Sequence, residues 1–377
     1  MKRLYPITVA SAAFFFSYYS RLSWSVLVVY MPFRPSVGQE AFAFSLFFVG
    51  YALVQLPAGF LSDKYSGGKI IFLALIGLAI STLASGLSMN INQEYFASLS
   101  MGLTAGWIYP ASINIMRTYY SQDLTRSIGY YSISWPLAII VSGLLLPWIA
   151  IHYGWQLGYY ATTAGSIAVA ALAIRLDTSR RSRSINYGLL RNPSLILLAL
   201  GGFLFFLSYW SITLYAYGYF VGIGIGDTLA GLIFSAMAIA GIPATIVSGK
   251  ISGKFGAKNI LMISLLVYGS MVAVFSITYG AIVLIAVSLV MGFFRFLITP
   301  GNSDMAARIG GSDAASASGI SNMFWQASGI VGPVFSAFII ESVGFRELWI
   351  VMFMLIVLAT IFYAGIKVST APQGVSG

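Results

Sequence analysis

From Leu4 to Phe33 the chain carries one charge, Arg21, and runs of the same length and character recur along its whole length. A lipid bilayer takes about 20 apolar residues per helical span. Apolar residues make up 59% of the 377 positions and charged residues 8%, where a soluble domain carries about 25% charged residues. The composition is that of an integral membrane protein. Strands of a transmembrane barrel alternate apolar and polar residues over about ten positions, whereas these runs are continuous and longer, so helices are expected. The reading is an all-α membrane protein with twelve spans, at 5–31, 42–62, 70–90, 95–117, 126–150, 155–175, 193–221, 228–249, 259–277, 280–303, 315–341 and 346–368.

The first span is too long for a signal peptide and lacks a small-residue cleavage site, so it is kept as a helix. The chain has no cysteine, which excludes disulfides, thiol nucleophiles and cysteine-based metal sites. Its net charge of +10 could mark a nucleic-acid surface or a membrane orientation, and the location of the charges decides. With the N-terminus inside, sixteen of the twenty Lys and Arg fall on the inner side, and Arg34 and Arg346 on the outer. That is the positive-inside pattern. It predicts a multi-pass protein of the cell membrane with both termini cytoplasmic, its surroundings the lipid bilayer and no nucleic acid among its partners.

One ungapped offset of 190 residues covers nearly the whole chain. It pairs GFLSDKYSGGKII (59–71) with GKISGKFGAKNIL (249–261), MGLTAGWIYP (101–110) with MGFFRFLITP (291–300), Trp135 with Trp325, and Tyr19 with Tyr209. Six spans per repeat is an even number, so both repeats enter from the same side and are parallel, related by an axis along the membrane normal. The expected organisation is a six-helix half over 1–176, a basic cytoplasmic linker over 177–192, and a second six-helix half over 193–377.

On these residues the chain resembles the major facilitator superfamily of secondary transporters. The segment GFLSDKYSGGK keeps Gly59, Leu61, Asp63 and Lys64 of the family's loop between spans 2 and 3, with Ser66 in the second glycine slot and Gly67 and Gly68 in place of the basic pair. The second copy keeps Gly249, Lys254, Gly256 and Lys258, with Gly253 where the acid would stand. The resemblance implies a gating loop at Gly59, Asp63, Lys64, Gly249 and Lys254. Its glycines would let helices turn tightly, and Asp63 would sit near a helix N-terminus or a basic neighbour. A narrower resemblance is to the anion:cation symporters. YYSRLSW keeps their first-span arginine as Arg21 but has Ser20 for the acid. GLTAGWIYPA keeps Gly102, Leu103, Pro110 and Ala111 but has Ala105 for the glutamate, and YGWQ ends in Gln156. The superfamily's fourth-span arginine would fall near Ser98.

An arginine at a helix centre costs about 2.5–3.5 kcal/mol on insertion scales, so it faces the bundle interior, a cavity or a partner. Arg21 lies about ten residues, or roughly 15 Å, from the outer end of its span. Ser17, Tyr18, Trp24 and Ser25 recur around it at helical spacing. Arg295, in span 10, has Thr299 and Asn302 on its side, and every Asp and Glu lies in a loop or at a span end. The counter-charge is then a carbonyl cluster, water, a bound ion or the substrate. A guanidinium matches a carboxylate or phosphate two-pronged, and two of them at the midplane between repeats, where such folds bind substrate, predict a small-molecule anion. The other reading makes both structural, bridging helix carbonyls.

Further cavity residues are expected at Tyr51 and Gln55 in span 2, at Tyr209, Thr213 and Tyr217 in span 7, and at Ser318, Asn322, Trp325 and Gln326 in span 11. The substrate-binding set is Arg21, Arg295, Tyr18, Tyr51, Gln55, Tyr209, Asn322 and Gln326. Prolines and glycines at 57, 110, 136, 143, 243, 300, 332 and 333 read as bends and close helix contacts. The spans hold no Cys, His pair or carboxylate pair, so an intramembrane enzyme lacks its nucleophile, metal or acid–base pair. No cofactor or metal is implied. The expectation is a monomeric alternating-access carrier of a small organic anion, with a carrier or effluxer of neutral sugars or drugs as the alternative.

Overall fold

The computed structural model describes residues 4–178 and 187–367, in a few places by backbone alone, including Gly59 and Asp63. The middle of the expected linker and both termini lie outside the described residues. What is described is a bundle of fifteen α-helices, and among the described residues there is no strand. The helices are α1 (Tyr5–Leu27), α2 (Val37–Lys64), α3 (Gly67–Gly86), α4 (Ile91–Ala105), α5 (Ile108–Tyr119), α6 (Leu124–Ser132), α7 (Ser134–Tyr153), α8 (Gln156–Ala173), α9 (Pro193–Gly222), α10 (Asp227–Ile239), α11 (Gly241–Phe255), α12 (Ala257–Val274), α13 (Ala281–Gly310), α14 (Ala314–Val343) and α15 (Phe345–Gly365).

Fifteen helices make twelve spans because three spans are broken: the fourth is α4 with α5, the fifth α6 with α7, the eighth α10 with α11. Each break has a proline just beyond it. Proline lacks the N–H that would bond the carbonyl four residues back. Pro110, Pro136 and Pro243 thereby release the carbonyls of Gly106, Ser132 and Ile239, which lie where α4, α6 and α10 stop. Pro57, Pro300 and Pro333 sit inside helices that continue through them. Among the described residues, nine spans are long and apolar enough to be recognised as membrane-crossing by length and composition alone. The remaining three are α1 and α8, which are diluted by serine, tyrosine, threonine and glycine, and the fourth span, whose pieces α4 and α5 are 15 and 12 residues long.

The first six spans pack on the last six along α2 with α14, α7 with α10, and α1 with α9. Two close helix contacts, one within the first half and one between the halves, depend on glycine. A Cβ on Gly102 would drive into the Phe47 carbonyl of α2, and one on Gly231 into the Gly143 carbonyl of α7.

The turn after α2 differs from expectation. The backbone of Gly59 and Asp63 is part of α2, and the turn is made by Tyr65 and Ser66. Gly67 then opens α3, its N–H bonded to Thr178 Oγ1 at 2.8 Å. Lys64 is exposed beside the Tyr65 ring. In the matching stretch Gly249 has open space where a side chain would stand and Lys254 is exposed beside Phe255. It is Gly256, at φ +84°, that ends α11.

Candidate substrate site

The two central arginines are buried, Arg21 to 4% exposure and Arg295 to 2%. Among the described residues the ion pair is Arg308 with Asp304 at 2.8 Å, on the surface one turn apart. Among the described residues neither buried guanidinium has a carboxylate. What surrounds them is aromatic. The Arg21 guanidinium carbon lies 4.5 Å from the ring centre of Phe47, 4.6 Å from Phe48, 4.9 Å from Trp210, 5.1 Å from Tyr18 and 5.2 Å from Tyr51. That of Arg295 lies 4.0 Å from Tyr209, 4.4 Å from Trp135, and 5.3 to 5.6 Å from Phe296, Phe205 and Phe206. Each cage borrows one tryptophan from the other half, Trp210 for Arg21 and Trp135 for Arg295.

Ring faces attract a cation by about 2 kcal/mol or more when water is excluded, which offsets part of the cost of burial. They do not serve the donors in the guanidinium plane, of which arginine has five. Arg295 Nη1 donates to Thr299 Oγ1 at 2.8 Å. Arg295 Nε and Nη2 and Arg21 Nε have no acceptor among the described residues. Beside Arg295 is a cavity of about 20 Å³, lined by Tyr209, Thr213, Tyr268, Met291 and Phe296 among others. A space of that size holds a water or two.

The cages meet at the centre. Tyr18 and Tyr209 share a hydrogen bond of 2.7 Å, and Trp135 Nε1 donates to the Tyr209 oxygen at 3.2 Å. From there to the expected outer end the halves are held by further bonds. Tyr30 of the first half donates to Asp227 Oδ1 at 2.9 Å and pairs with Tyr217. The Gly38 N–H donates to Glu341 Oε1 at 3.0 Å, and Tyr215 to the Val37 carbonyl at 3.2 Å.

Of the residues expected to line the site, Arg21, Tyr18, Tyr51, Tyr209 and Arg295 come together, with Gln326 beside the Tyr51 hydroxyl. Gln55 is beside the Tyr51 hydroxyl too. Its Nε2 also donates to the Gly106 carbonyl at 3.4 Å, the acceptor that Pro110 leaves vacant, so it caps a broken helix as well. Asn322 is half-buried on α14 and makes no hydrogen bond among the described residues. Trp24 donates to the Glu40 carbonyl, Asn302 accepts from Tyr363, and Tyr217 belongs to the outer closure. Sequence reasoning missed Phe47, Phe48, Phe205, Phe206, Trp210 and Phe296. Within apolar runs, phenylalanine facing an arginine has the same sequence appearance as phenylalanine facing lipid.

The chain matches the family model of the Major Facilitator Superfamily over residues 9–254 and 198–375, and it belongs to that family of membrane transporters. It resembles the solved structure of a mutant of the nucleoside transporter NupG with a TM-score of 0.81 at 14% identity, over 96% of this chain and 99% of that one. Among curated relatives, a probable 4-methylmuconolactone transporter of Cupriavidus pinatubonensis is 27% identical over 110 residues, 28% of this chain. The aligned stretch spans 26% of that relative's length. The agnestins efflux protein of Paecilomyces divaricatus is 22% identical over 83% of this chain and 75% of its own. The chain has the multi-pass membrane-transporter fold of that family.

Proposed function

We propose that this transporter carries a small, carboxylate-bearing organic anion by rocking its two six-helix halves about a central site, with Arg21 and Arg295 as the anion clamp. The observation that carries the reading is the pair of buried guanidinium groups with donors left over and no carboxylate to receive them. An anion entering between the halves would take the place of the missing acceptors, and a carboxylate offers two oxygens to each fork. The surrounding tyrosines and tryptophans would hold its apolar part. The reading includes cytoplasmic termini, a position in the cell membrane and a monomeric unit.

One observation favours the second reading, a carrier of neutral sugars or drugs with structural arginines: five rings already pack each guanidinium. A thermal-shift screen of the purified carrier against mono- and dicarboxylates, sugar acids, phosphate esters and neutral sugars separates the two, because a ligand that binds the folded state raises its melting temperature. The anion reading expects a rise with carboxylates that disappears in Arg21→Gln. A rise with neutral sugars alone would overturn it.

A further inference from the structure

Away from the arginine cages one carboxyl is fully buried. Glu94, at the start of α4, is 0% exposed, and no cation lies against it among the described residues. Its neighbours are hydroxyls. Ser85 Oγ stands 3.0 Å from Oε1 and Ser88 Oγ 3.2 Å from Oε2, both from the end of α3, and Ser98 follows one turn along α4. Tyr159 of α8, also buried, is near enough to sense Glu94 electrostatically, and its hydroxyl has no hydrogen-bond partner among the described residues.

We propose that Glu94 is a proton-binding site, its carboxyl holding a proton in the folded carrier at a place the arginine cages do not use. Three points of geometry and chemistry lead there. A buried carboxylate without a cation carries a desolvation cost of several kcal/mol, which a neutral acid avoids. The Ser88 hydroxyl has a single proton, and its shorter contact, 2.8 Å, is to the Ser85 carbonyl. With that bond made, Ser88 turns a lone pair toward Oε2, and their 3.2 Å contact becomes a hydrogen bond when the carboxyl supplies the proton. Finally, these oxygens are already within hydrogen-bonding distance of one another. A proton enters such a group without expanding it, whereas a metal ion would have to push the oxygens apart.

The surroundings fit proton exchange with the solution. Met89, five residues before Glu94, is 82% exposed. In the other direction Gly102, where α4 presses on α2 at Phe47 and Tyr51, lies eight residues on, about 12 Å along a helix. A proton therefore reaches Glu94 from the α3–α4 end without crossing the arginine cages. The titratable group that faces it among the described residues is the phenol of Tyr159 on α8. Its other partners there are the serines of α3 and α4, and no charged side chain from α1, α2, α3, α5 or α8 interacts with it.

The test is infrared spectroscopy of the full-length carrier in detergent at neutral pH, with melting temperature followed in parallel. The wild type is expected to show a protonated-carboxyl C=O stretch that Glu94→Gln lacks, and to lose melting temperature on going to alkaline pH where Glu94→Gln does not. Should Glu94→Gln fail to fold, Ser88→Ala is expected to move the same band to higher frequency, because the acid loses its acceptor. A spectrum unchanged by either substitution would overturn the assignment. So would a melting temperature that rises with sodium over choline in the wild type alone, which would make this a metal-ion site.

Discussion

Tyr18 and Tyr209 join hydroxyl to hydroxyl at 2.7 Å across the two halves of the transporter, and each ring also lies over one of the buried arginines. The bond ties the two cages into one unit. Removing the oxygen with Tyr209→Phe also strands the Trp135 N–H, and a buried donor left without a partner costs about 1–3 kcal/mol. The expected outcome is a lower melting temperature without ligand, with the loss read from paired thermal scans of wild type and variant.

For the anion clamp, hydrogen bonds to a charged group are worth about 1.5–3 kcal/mol each, and about 1.4 kcal/mol is tenfold in affinity. Arg21→Gln and Arg295→Gln are each expected to weaken carboxylate binding by roughly ten- to a hundredfold. Isothermal titration with the best carboxylate from the screen measures it. Unchanged affinity in both variants would assign the arginines to structure.

Gln55→Ala separates capping from substrate contact. It leaves the Gly106 carbonyl without its donor, so stability is expected to fall by about 1–3 kcal/mol. The ratio of affinities for different anions should stay as it was. A changed ratio with unchanged stability would make the contact of Gln55 with Tyr51, and not the cap, its main role.

The outer closure depends on two carboxylates of the second half, Asp227 on Tyr30 and Glu341 on the Gly38 N–H. Substituting both by alanine is expected to favour the conformation open at that end. Because the chain has no cysteine, a single cysteine placed at Ser20, which is 0% exposed, reports alone. It should react faster with a membrane-impermeant maleimide in the double variant than in the parent.

Much of this molecule is legible in its sequence because lipid imposes a simple rule on long apolar runs. The twelve spans and the parallel repeat follow from it, and so does the burial of Arg21 and Arg295, since few other places tolerate a charge there. Proline marked the bends, yet only Pro110, Pro136 and Pro243 interrupt their helices, while Pro57, Pro300 and Pro333 do not. That difference depends on tertiary packing, which no local pattern records. The capping contact of Gln55 was hidden for a related reason. A polar side chain in mid-span looks the same whether it faces a cavity or a neighbour's stranded carbonyl, and the partner 51 residues away is visible only after folding. The aromatic cages were hidden in the same way, among phenylalanines that could equally face lipid.

Each of the three broken spans leaves one segment on the expected inner side, the shorter piece in the fourth and fifth spans and the slightly longer one in the eighth. α5, α6 and α11 are the segments on the expected inner side, while their continuations α4, α7 and α10 run toward the closed outer side. Two of the three, α5 and α6, follow one another with only residues 120–123 between them. A carrier built this way has elbows as well as a fulcrum: its inner segments can swing on their proline joints while the outer helices stay clasped, so that release on one side need not await the parting of the other.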